Sequence, residues 1–511
     1  MPVDPRTPVI VGVGQFTERI DDPDYRGMSA VELATEGVRA ALADTGADAG
    51  AVAQAIEVFV GLRQFEICTP FGKPPLGCSD NYVRSVARRV GADPARAVLE
   101  SIGGNGPQKL VTEFGGAIAS GDIEVALILG SENGSTLKTF ARREDKPDHS
   151  ETVGGQLEDR GYGFEQYMSE YTASHGLTGA PVQYGLLDNA RRSRLGLGVG
   201  DYRREMAELF APFSKVAAKN PFSSSPVERS VEELVTVTDE NRMICDPYPR
   251  LMVARDQVNQ GAAVLVMSVA AARRLGVPEE KWVYLRGHAN QTEQDLLDRA
   301  DVGDSISAKQ AVAEALRVAG IGMDDVATFD LYSCFPFPVF AVCDAFGLAA
   351  DDPRGLTLTG GLPYFGGPGN SYSLHGIAET VAEMRDKPGA FGLVGANGGV
   401  MSKYSVGVYS TEPADWAADR SKALQADIAA LPKVSVTRNA DGRATIETYS
   451  VRYDWPVRTG IIIGRLESDD SRFLAITEDE DLVALMSDGD PLGAHIAVKS
   501  TEDGINRASL A

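Results

Sequence analysis

A glycine-rich turn between a buried strand and a helix constrains the fold of this chain more than any other segment. The apolar run 97–99 leads into residues 101–108, Ser-Ile-Gly-Gly-Asn-Gly-Pro-Gln, and a helix-like segment follows. A second apolar run at 125–130 then predicts a buried strand. Strand, tight turn, helix and strand is the order in which α/β enzymes present a nucleophile at a helix N-terminus. The apex of this turn nevertheless contains glycines and an asparagine, and no Cys, Ser or Lys.

Two successive rounds of strands and helices in a similar order predict an internal duplication. The first round consists of runs 8–14, 29–45, 56–61, 97–130 and 262–268, and a long polar insertion at 131–260 interrupts it. The second round consists of runs 282–287, 307–319, 328–332, 371–385, 391–395 and 405–409. Both rounds predict an α/β fold with covered, mostly parallel sheets.

The last hundred residues predict a small all-β domain after a charged helix at 419–431. Short alternating runs predict strands at 433–437, 444–449, 460–465 and 472–477, with a hairpin turn at 439–442. We therefore expect an N-terminal half over 1–270 that includes a loop domain at 131–260. A C-terminal half follows over 271–411, and a barrel-like domain occupies 412–511.

The charge balance argues against a nucleic-acid or membrane partner. The chain has 49 basic and 72 acidic residues and a net charge of −23, which disfavours polyanions and anionic lipid surfaces. No apolar run approaches the ~20 residues of a membrane span, and the first residues lack a signal-peptide pattern. The five cysteines are scattered and only five histidines are present, so we expect no metal site and a cytoplasmic protein with reduced thiols.

Several local segments resemble the thiolase superfamily, and within it the sterol-carrier-protein-type thiolases, over roughly residues 8–411. They are residues 121–132 after the turn helix, 219–221 with Pro226 in the insertion, and 259–263 at the return to the core. The resemblance implies a duplicated five-layered α/β fold with an inserted loop domain. The C-terminal domain resembles the OB-fold modules of acyl-CoA-handling relatives. Such modules often carry a zinc ribbon, but no cysteine follows Cys343.

The resemblance implies the activity of an acetyl-CoA acetyltransferase, an acyltransferase of lipid metabolism. Its ligands are CoA and acyl-CoA, and it needs no further cofactor. Thiolases are usually dimers or tetramers, so a dimer is expected here, although a fused barrel leaves a monomer open. In the superfamily, thiolase chemistry is carried by four loops, and each has a counterpart in this sequence.

The first two loops have lost the expected reactive groups. The nucleophilic Cys position falls on Gly104, which cannot be acylated, and Asn105 follows it in the substrate-facing turn. The second loop supplies Asn-Glu-x-Phe or His-Asp-Cys-Phe in the family, and here it retains Cys334 and Phe335 after Tyr332 and Ser333. A tyrosine at this place either donates a proton or hydrogen bond to an enolate oxygen, or simply packs at the strand end.

The third and fourth loops depart from the pattern in the same way. The catalytic His of Gly-His-Pro-x-Gly falls on Gly367, and His375 follows on the next helix, where it either reaches the site or has a structural role. The second catalytic Cys falls on Asn397, beside Gly398. An asparagine exchanges no proton at neutral pH, but its amide can donate to an oxyanion. The resemblance therefore predicts a thiolase scaffold without thiolase chemistry.

Three functional hypotheses follow from these replacements. The first is a CoA- or acyl-CoA-binding protein that keeps the ligand cleft. The second is a retro-aldolase or related C–C lyase acting on acyl-CoA thioesters, with Tyr332 as the reactive group and Asn397 and His375 assisting it. The third is a non-catalytic interaction protein that uses the C-terminal barrel.

Overall fold

Strands that are buried on both faces form the centre of the N-terminal half. The computed structural model describes residues 3–163, 168–454 and 456–511. The run 125–130 lies in a strand in which all nine residues are buried, which explains its continuous apolar sequence. The elements before the insertion are β1 (Pro8–Thr17), α1 (Ala30–Asp44), α2 (Ala49–Ala55), β2 (Val58–Leu62), α3 (Tyr82–Arg89), β3 (Arg96–Glu100), α4 (Gly106–Ser120) and β4 (Val125–Asn133).

The insertion is mainly helical and returns the chain to the sheet at its end. It contains α5 (Gly134–Phe140), β5 (Glu158–Asp159), α6 (Glu170–Ser174), α7 (Ala180–Leu195), α8 (Val199–Ala217), α9 (Val231–Val235), β6 (Met243–Cys245) and β7 (Tyr248–Pro249). The sheet resumes with β8 (Asn259–Ser268), and α10 (Val269–Arg274) follows it. Most of α7 is buried, so this helix forms part of the core.

The second half repeats the arrangement with fewer strands. Its elements are β9 (Val283–Thr292), α11 (Ile306–Ala319), β10 (Val326–Leu331), α12 (Pro336–Phe346), α13 (Tyr372–Asp386), β11 (Phe391–Gly398) and β12 (Lys403–Ser410). The strand order across both halves is β10-β11-β12-β9-β1-β8-β4-β2-β3-β5. Helices α4 and α13 pack against each other between the two halves of this sheet, and α1 and α11 cover the outer faces. The result is the expected duplicated, five-layered α/β fold with an inserted loop domain.

The expectation of mostly parallel sheets is wrong, because the sheet is mixed. Strand β8 is antiparallel to both β1 and β4, and β12 is antiparallel to both β11 and β9. The short connection from β11 to β12 reverses the chain directly, which allows only an antiparallel pair. Among the described residues of this sheet, parallel pairing is confined to β2 with β3 and β4, β10 with β11, and the short contact of β3 with β5.

The C-terminal domain is a closed five-stranded barrel with OB-fold topology. After α14 (Ser421–Ala429) it consists of β13 (Asp441–Asp454), β14 (Val457–Leu466), β15 (Arg472–Thr477), α15 (Glu480–Asp488), β16 (His495–Ser500) and β17 (Asn506–Leu510). The strands close in the order β13-β14-β15-β17-β16, and β16 pairs again with β13. Strand β13 also pairs with β6 of the loop domain, so the barrel continues the loop-domain sheet.

The predicted strand at 433–437 and the hairpin turn at 439–442 are both wrong. In the segment 433–437 only Val436 forms an isolated bridge, to Arg472. Strand β13 begins at Asp441, and β14 and β16 already occupy its two edges. The residues before it therefore have no free edge on which to form a second hairpin strand.

Candidate active site

The four loops converge on one cavity of about 700 Å³ between the α/β body and the loop domain. Most of the residues singled out from the sequence line its wall. They are Gly104, Tyr332, Cys334, Phe335, Gly367, Asn397 and Gly398. The lining is largely apolar near these loops and also includes Tyr184, Leu362 and Tyr364. Such a concave, mainly apolar space with a few polar groups is typical of a small-molecule site.

The glycine turn is held rigidly at the entrance to α4. The side-chain oxygen of Asn370 accepts a hydrogen bond from the backbone N–H of Gly103 at 2.8 Å. The Ser373 hydroxyl donates to the Gly104 carbonyl, also at 2.8 Å. Gly103 has φ = 148°, a conformation that favours glycine. Two polar side chains of the third loop and its helix therefore fix the apex where a thiolase would present its cysteine.

Tyr332 fills the space that a nucleophile at position 104 would need. A Cβ added to Gly104 would lie 2.3 Å from the Tyr332 hydroxyl oxygen, 2.7 Å from Tyr332 Cζ and 2.7 Å from the Asn397 carbonyl oxygen. Each of these separations is far shorter than ordinary van der Waals contact. Tyr332 in this position therefore requires a residue without a side chain at position 104.

The Tyr332 hydroxyl is a neutral group at the cavity wall. Tyr332 directly follows β10 and is 7% exposed, and its ring contacts Tyr372 edge-on at a centroid distance of 5.2 Å. Burial raises the pKa of Tyr332 well above its ordinary value. The hydroxyl makes no hydrogen bond to another residue in the described part of the chain. It can therefore donate a hydrogen bond to a ligand oxygen, but it is not a phenolate base at neutral pH.

The Asn397 amide is already engaged in the wall itself. Its Nδ2 donates to the Tyr184 hydroxyl at 2.6 Å and to Cys334 Sγ at 3.8 Å. Its Oδ1 accepts a hydrogen bond from the backbone N–H of Met401 at 3.0 Å. Tyr184 in turn stacks on Phe335 at 4.5 Å. Because these bonds use the amide, the Asn397 side chain organises the wall and offers no spare donor for an oxyanion.

The turn after Asn397 has a strained backbone. Gly399, Val400 and Met401 all have φ between 54° and 56°. A β-branched residue such as Val400 is rarely left-handed, and each non-glycine residue in this region costs about 1–3 kcal/mol. The residues on either side of this turn, Gly398, Ser402 and Lys403, line the cavity. The conformation persists only because surrounding contacts hold it.

Two of the residues predicted for the site lie outside the cavity wall. His375 is fully buried, its Nδ1 is 2.8 Å from Gln15 Oε1, and its ring meets Phe365 edge-on. Burial lowers the pKa of His375 to about 3, so it is neutral. Asn105 is also buried, and its amide donates to the Ser405 hydroxyl at 3.2 Å. Both contacts belong to the packing behind the site.

The structure adds arginines that sequence reasoning missed. Arg229, Arg242, Arg250 and Arg255 line the cavity from the loop domain. Arg229 pairs with Glu233 at 3.3 Å, whereas the other three donate only to backbone carbonyls within the described ranges. Burial, and then the neighbouring Arg250, lower the pKa of the Arg255 guanidinium. Guanidinium groups without carboxylate partners, in a chain of net charge −23, mark a place for an anion. No sequence motif could have found them, because only the fold brings these scattered positions together.

Two cysteines outside the four loops, Cys68 and Cys245, are candidates for a replacement nucleophile. Cys68, which lies far in sequence from the four loops, reaches the cavity wall. Burial, and the nearby Glu132, raise the pKa of its thiol, so it is a poor nucleophile. Cys245 is fully buried where β6 meets the barrel, and burial raises the pKa of its thiol. Neither cysteine supplies the nucleophile that Gly104 lacks.

Two classes of site find no candidates in the described residues. No three His, Cys, Asp or Glu side chains converge there as a metal ion would require. None of the helices over the described ranges combines the length and apolar character needed to cross a bilayer.

Comparison with known proteins agrees with the geometry. Residues 423–503 match the family model described as the thiolase-like protein type 1 additional C-terminal domain. The crystal structure of a monomeric SCP2-thiolase-like protein type 1 from Mycobacterium smegmatis is 65% identical over 100% of both chains, with a TM-score of 0.87. No curated protein is significantly similar in sequence.

Two more distant structures share the fold alone. An Ltp2-ChsH2(DUF35) aldolase is 20% identical, with a TM-score of 0.56 over 80% of this chain and 98% of that one. The dimeric peroxisomal thiolase of Saccharomyces cerevisiae is 13% identical, with a TM-score of 0.57 over 80% of this chain and 99% of its own. These matches support the thiolase scaffold and carry no information about activity.

Proposed function

The chain belongs to the SCP2-thiolase-like proteins of type 1, and from that premise we propose that it binds CoA or acyl-CoA without catalysing Claisen chemistry. The observation that carries the proposal is the cavity in which Tyr332 fills the nucleophile's space while the ligand cleft stays open. A role in lipid metabolism and a cytoplasmic location form part of the same proposal. All five cysteines are free thiols, which suits a reducing compartment.

The loop-domain arginines support a ligand that carries phosphate groups. CoA has a diphosphate and a ribose phosphate at one end and a flexible pantetheine arm at the other. Arg242, Arg250 and Arg255 offer guanidinium groups at the cavity, and in the described part of the chain no carboxylate is hydrogen-bonded or ion-paired to them, although Asp256 also lies in the wall. The apolar wall around Tyr184 and Phe335 suits the uncharged end. The cavity therefore offers a group suited to each end of CoA, which supports the proposal.

Calorimetric titration tests this proposal. The double variant Arg250→Gln/Arg255→Gln should weaken CoA binding about tenfold or more, because charge-assisted contacts to phosphate are lost. Arg273→Gln, on the outer helix α10 and outside the cavity lining, should leave binding unchanged. Pantetheine lacks phosphates and should not distinguish the double variant from the wild type. Equal CoA affinity in the double variant and the wild type would overturn the arginine assignment, and no CoA binding by the wild type would overturn the proposal.

A second candidate function is retro-aldol cleavage of a β-hydroxyacyl thioester, and the Tyr332 hydroxyl favours it. In this reaction the β-hydroxyl gives up its proton to solvent, and the electrons of the breaking Cα–Cβ bond pass to the thioester to form an enolate as the carbonyl product leaves. The enolate then takes up a proton at Cα from solvent. A neutral hydroxyl at the cavity wall, without a protein partner in the described residues, suits donation to the enolate oxygen. The engaged Asn397 amide and the buried His375 give Tyr332 no direct assistance.

One pair of variants separates binding from cleavage. Tyr332→Phe should abolish cleavage of β-hydroxyacyl-CoA and leave CoA affinity within about twofold, since it removes a single hydroxyl. Tyr364→Phe is the matched control, because that hydroxyl is also buried, unpartnered among the described residues and part of the cavity lining. Wild-type protein that binds CoA but cleaves no β-hydroxyacyl-CoA leaves the binding function standing and removes the lyase.

A monomer is part of the proposal and replaces the dimer expected from the superfamily. The M. smegmatis relative is monomeric by its description. In this chain the short strand β5 pairs with β3, so the edge at which another subunit would add a strand is covered there. Light scattering should give the mass of one chain, 54.4 kDa, at micromolar concentration. A mass twice as large would contradict the edge-strand argument.

A further inference from the structure

The C-terminal barrel turns inward the face on which OB-folds usually bind ligands. That face is built on the second and third strands of the barrel, which are β14 and β15 here. Ile461, Ile463 and Leu474 on these strands are fully buried and belong to the core of the α/β body and loop domain. The alternate residues Ile462 and Phe473 fill the barrel interior instead. Because this face is covered within the chain, it is closed to an external partner.

A buried arginine on the same face reaches the backbone of the body. Arg472 begins β15 and has no exposed surface. Its guanidinium forms a bidentate pair with Glu447 at 2.6 and 2.9 Å. Its Nη1 donates to the carbonyl oxygens of Leu297 at 2.7 Å and Arg299 at 2.5 Å. The segment that contains these carbonyls follows β9, so the barrel holds a loop of the second half in place.

The next contact leads from that loop to the strained turn of the cavity. The Arg299 side chain is buried, and its Nη2 donates to the Met401 carbonyl at 3.0 Å. The Met401 N–H is bound by Asn397 Oδ1, so Met401 is held on both sides. Its φ of 56° lies in the left-handed region and needs such support. Asn397 then connects to Tyr184 in the wall.

We propose that Arg472 of the barrel is a positioning residue for the cavity, acting through Arg299 on the turn 399–401. The proposal gives the barrel an internal role and replaces the hypothesis of an external interaction module. It does not depend on CoA being the ligand, because the turn exists in the free protein. The contacts connect Glu447, Arg472, Arg299, Met401 and Asn397 in that order. The first is an ion pair, and the others are hydrogen bonds.

Hydrogen exchange of the full-length protein tests the proposal without any ligand. In Arg472→Gln, amides of 397–403 should exchange about tenfold faster than in the wild type, because the turn opens locally. Arg472→Lys should recover part of this protection by retaining a cationic donor. Arg465→Gln is the matched control, since Arg465 also pairs with Glu447 but is more exposed and makes no bond to Leu297 or Arg299. It should leave exchange at 397–403 within about twofold of the wild type.

The second variant keeps the test decisive if Arg472→Gln fails to fold. Arg299→Gln removes the donor to Met401 without touching the barrel, and it should accelerate the same amides. If the two arginines act in one sequence, the double variant should exchange no faster at 397–403 than the faster single variant. Exchange at wild-type rates in a folded Arg299→Gln or Arg472→Gln variant would overturn the proposal. Additive acceleration in the double variant would overturn it as well.

Discussion

Replacing Gly104 by Cys should not restore a thiolase. The added Cβ would lie 2.3 Å from the Tyr332 hydroxyl and 2.7 Å from the Asn397 carbonyl oxygen. The first contact is relieved only if the Tyr332 ring moves, and Tyr372 packs edge-on against that ring at 5.2 Å. The second contact is with backbone and cannot be relieved by a rotamer change. Overpacking of this kind costs about 1–3 kcal/mol, and two simultaneous contacts place Gly104→Cys at the upper end.

The assay combines thermal unfolding with mass spectrometry after incubation with acetyl-CoA. Gly104→Cys should lower the unfolding midpoint by several degrees and form no acetyl-enzyme. Gly104→Cys/Tyr332→Phe should recover part of the midpoint, because the hydroxyl contact at 2.3 Å is removed while the Tyr332 Cζ and Asn397 carbonyl contacts at 2.7 Å remain. Gly200→Ala is the control glycine, since it is exposed in α8 with nothing near its added Cβ, and it should gain up to about 1 kcal/mol from helix propensity. A Gly104→Cys protein with the wild-type midpoint and a covalent acetyl group would refute the packing argument.

Three further predictions concern groups around the cavity and the barrel. In the unfolded chain His375 becomes protonated below about pH 6.5, whereas in the folded chain burial lowers its pKa to about 3 and it stays neutral. The free energy of unfolding of the wild type should therefore fall by about 2–3 kcal/mol more than that of His375→Gln between pH 7 and about pH 4.5. Urea unfolding at the two pH values measures this difference. Ser373→Ala removes the donor to the Gly104 carbonyl and should cost about 1 kcal/mol, seen as a lower thermal midpoint. Asp490→Ala leaves the buried Arg192 without its carboxylate partner. Because Asp490 is partly exposed, the loss of stability should be only about 1–2 kcal/mol. Equal thermal unfolding midpoints of this variant and the wild type would contradict this prediction.

The fold was accessible from the sequence wherever a pattern is local. The runs 29–45 and 125–130 placed α1 and β4 to within a few residues, and Ser29, the first residue of the former run, is the N-cap of α1. The direction of β8 was not accessible, because its partners β1 and β4 are distant in sequence. The direction of β12 relative to β11 follows from the short connection between them, which the expectation of parallel sheets overlooked. The segment 433–437 has the alternation of a strand, but its pairing is limited to the isolated bridge of Val436 with Arg472.

The site was predictable in its loops and unpredictable in its connections. Matching the four motif loops was sufficient to bring Gly104, Tyr332 and Asn397 to one cavity. The same matching could not tell that the Asn397 amide is consumed by Tyr184, since that partner lies in the insertion. His375 follows the third loop closely in sequence, but its helix directs it toward Gln15 and away from the cavity. Proximity in sequence is a weak guide to which face of a helix a residue occupies.

The replacements in the four loops are physically linked, and we therefore expect that no single substitution recovers the superfamily chemistry. Tyr332 requires a residue without a side chain at position 104, because any Cβ there meets its hydroxyl. Asn397 holds both Tyr184 and the strained Met401, so a cysteine at 397 would release the turn as well as the wall. Restoring a nucleophile therefore requires removing Tyr332, and restoring the acid/base requires rebuilding the turn that Arg299 supports. The residues that stabilise the cavity also stand at the places of the thiolase nucleophile and acid/base, so we expect its use to lie in the ligand that it binds or in the ligand oxygen to which Tyr332 donates.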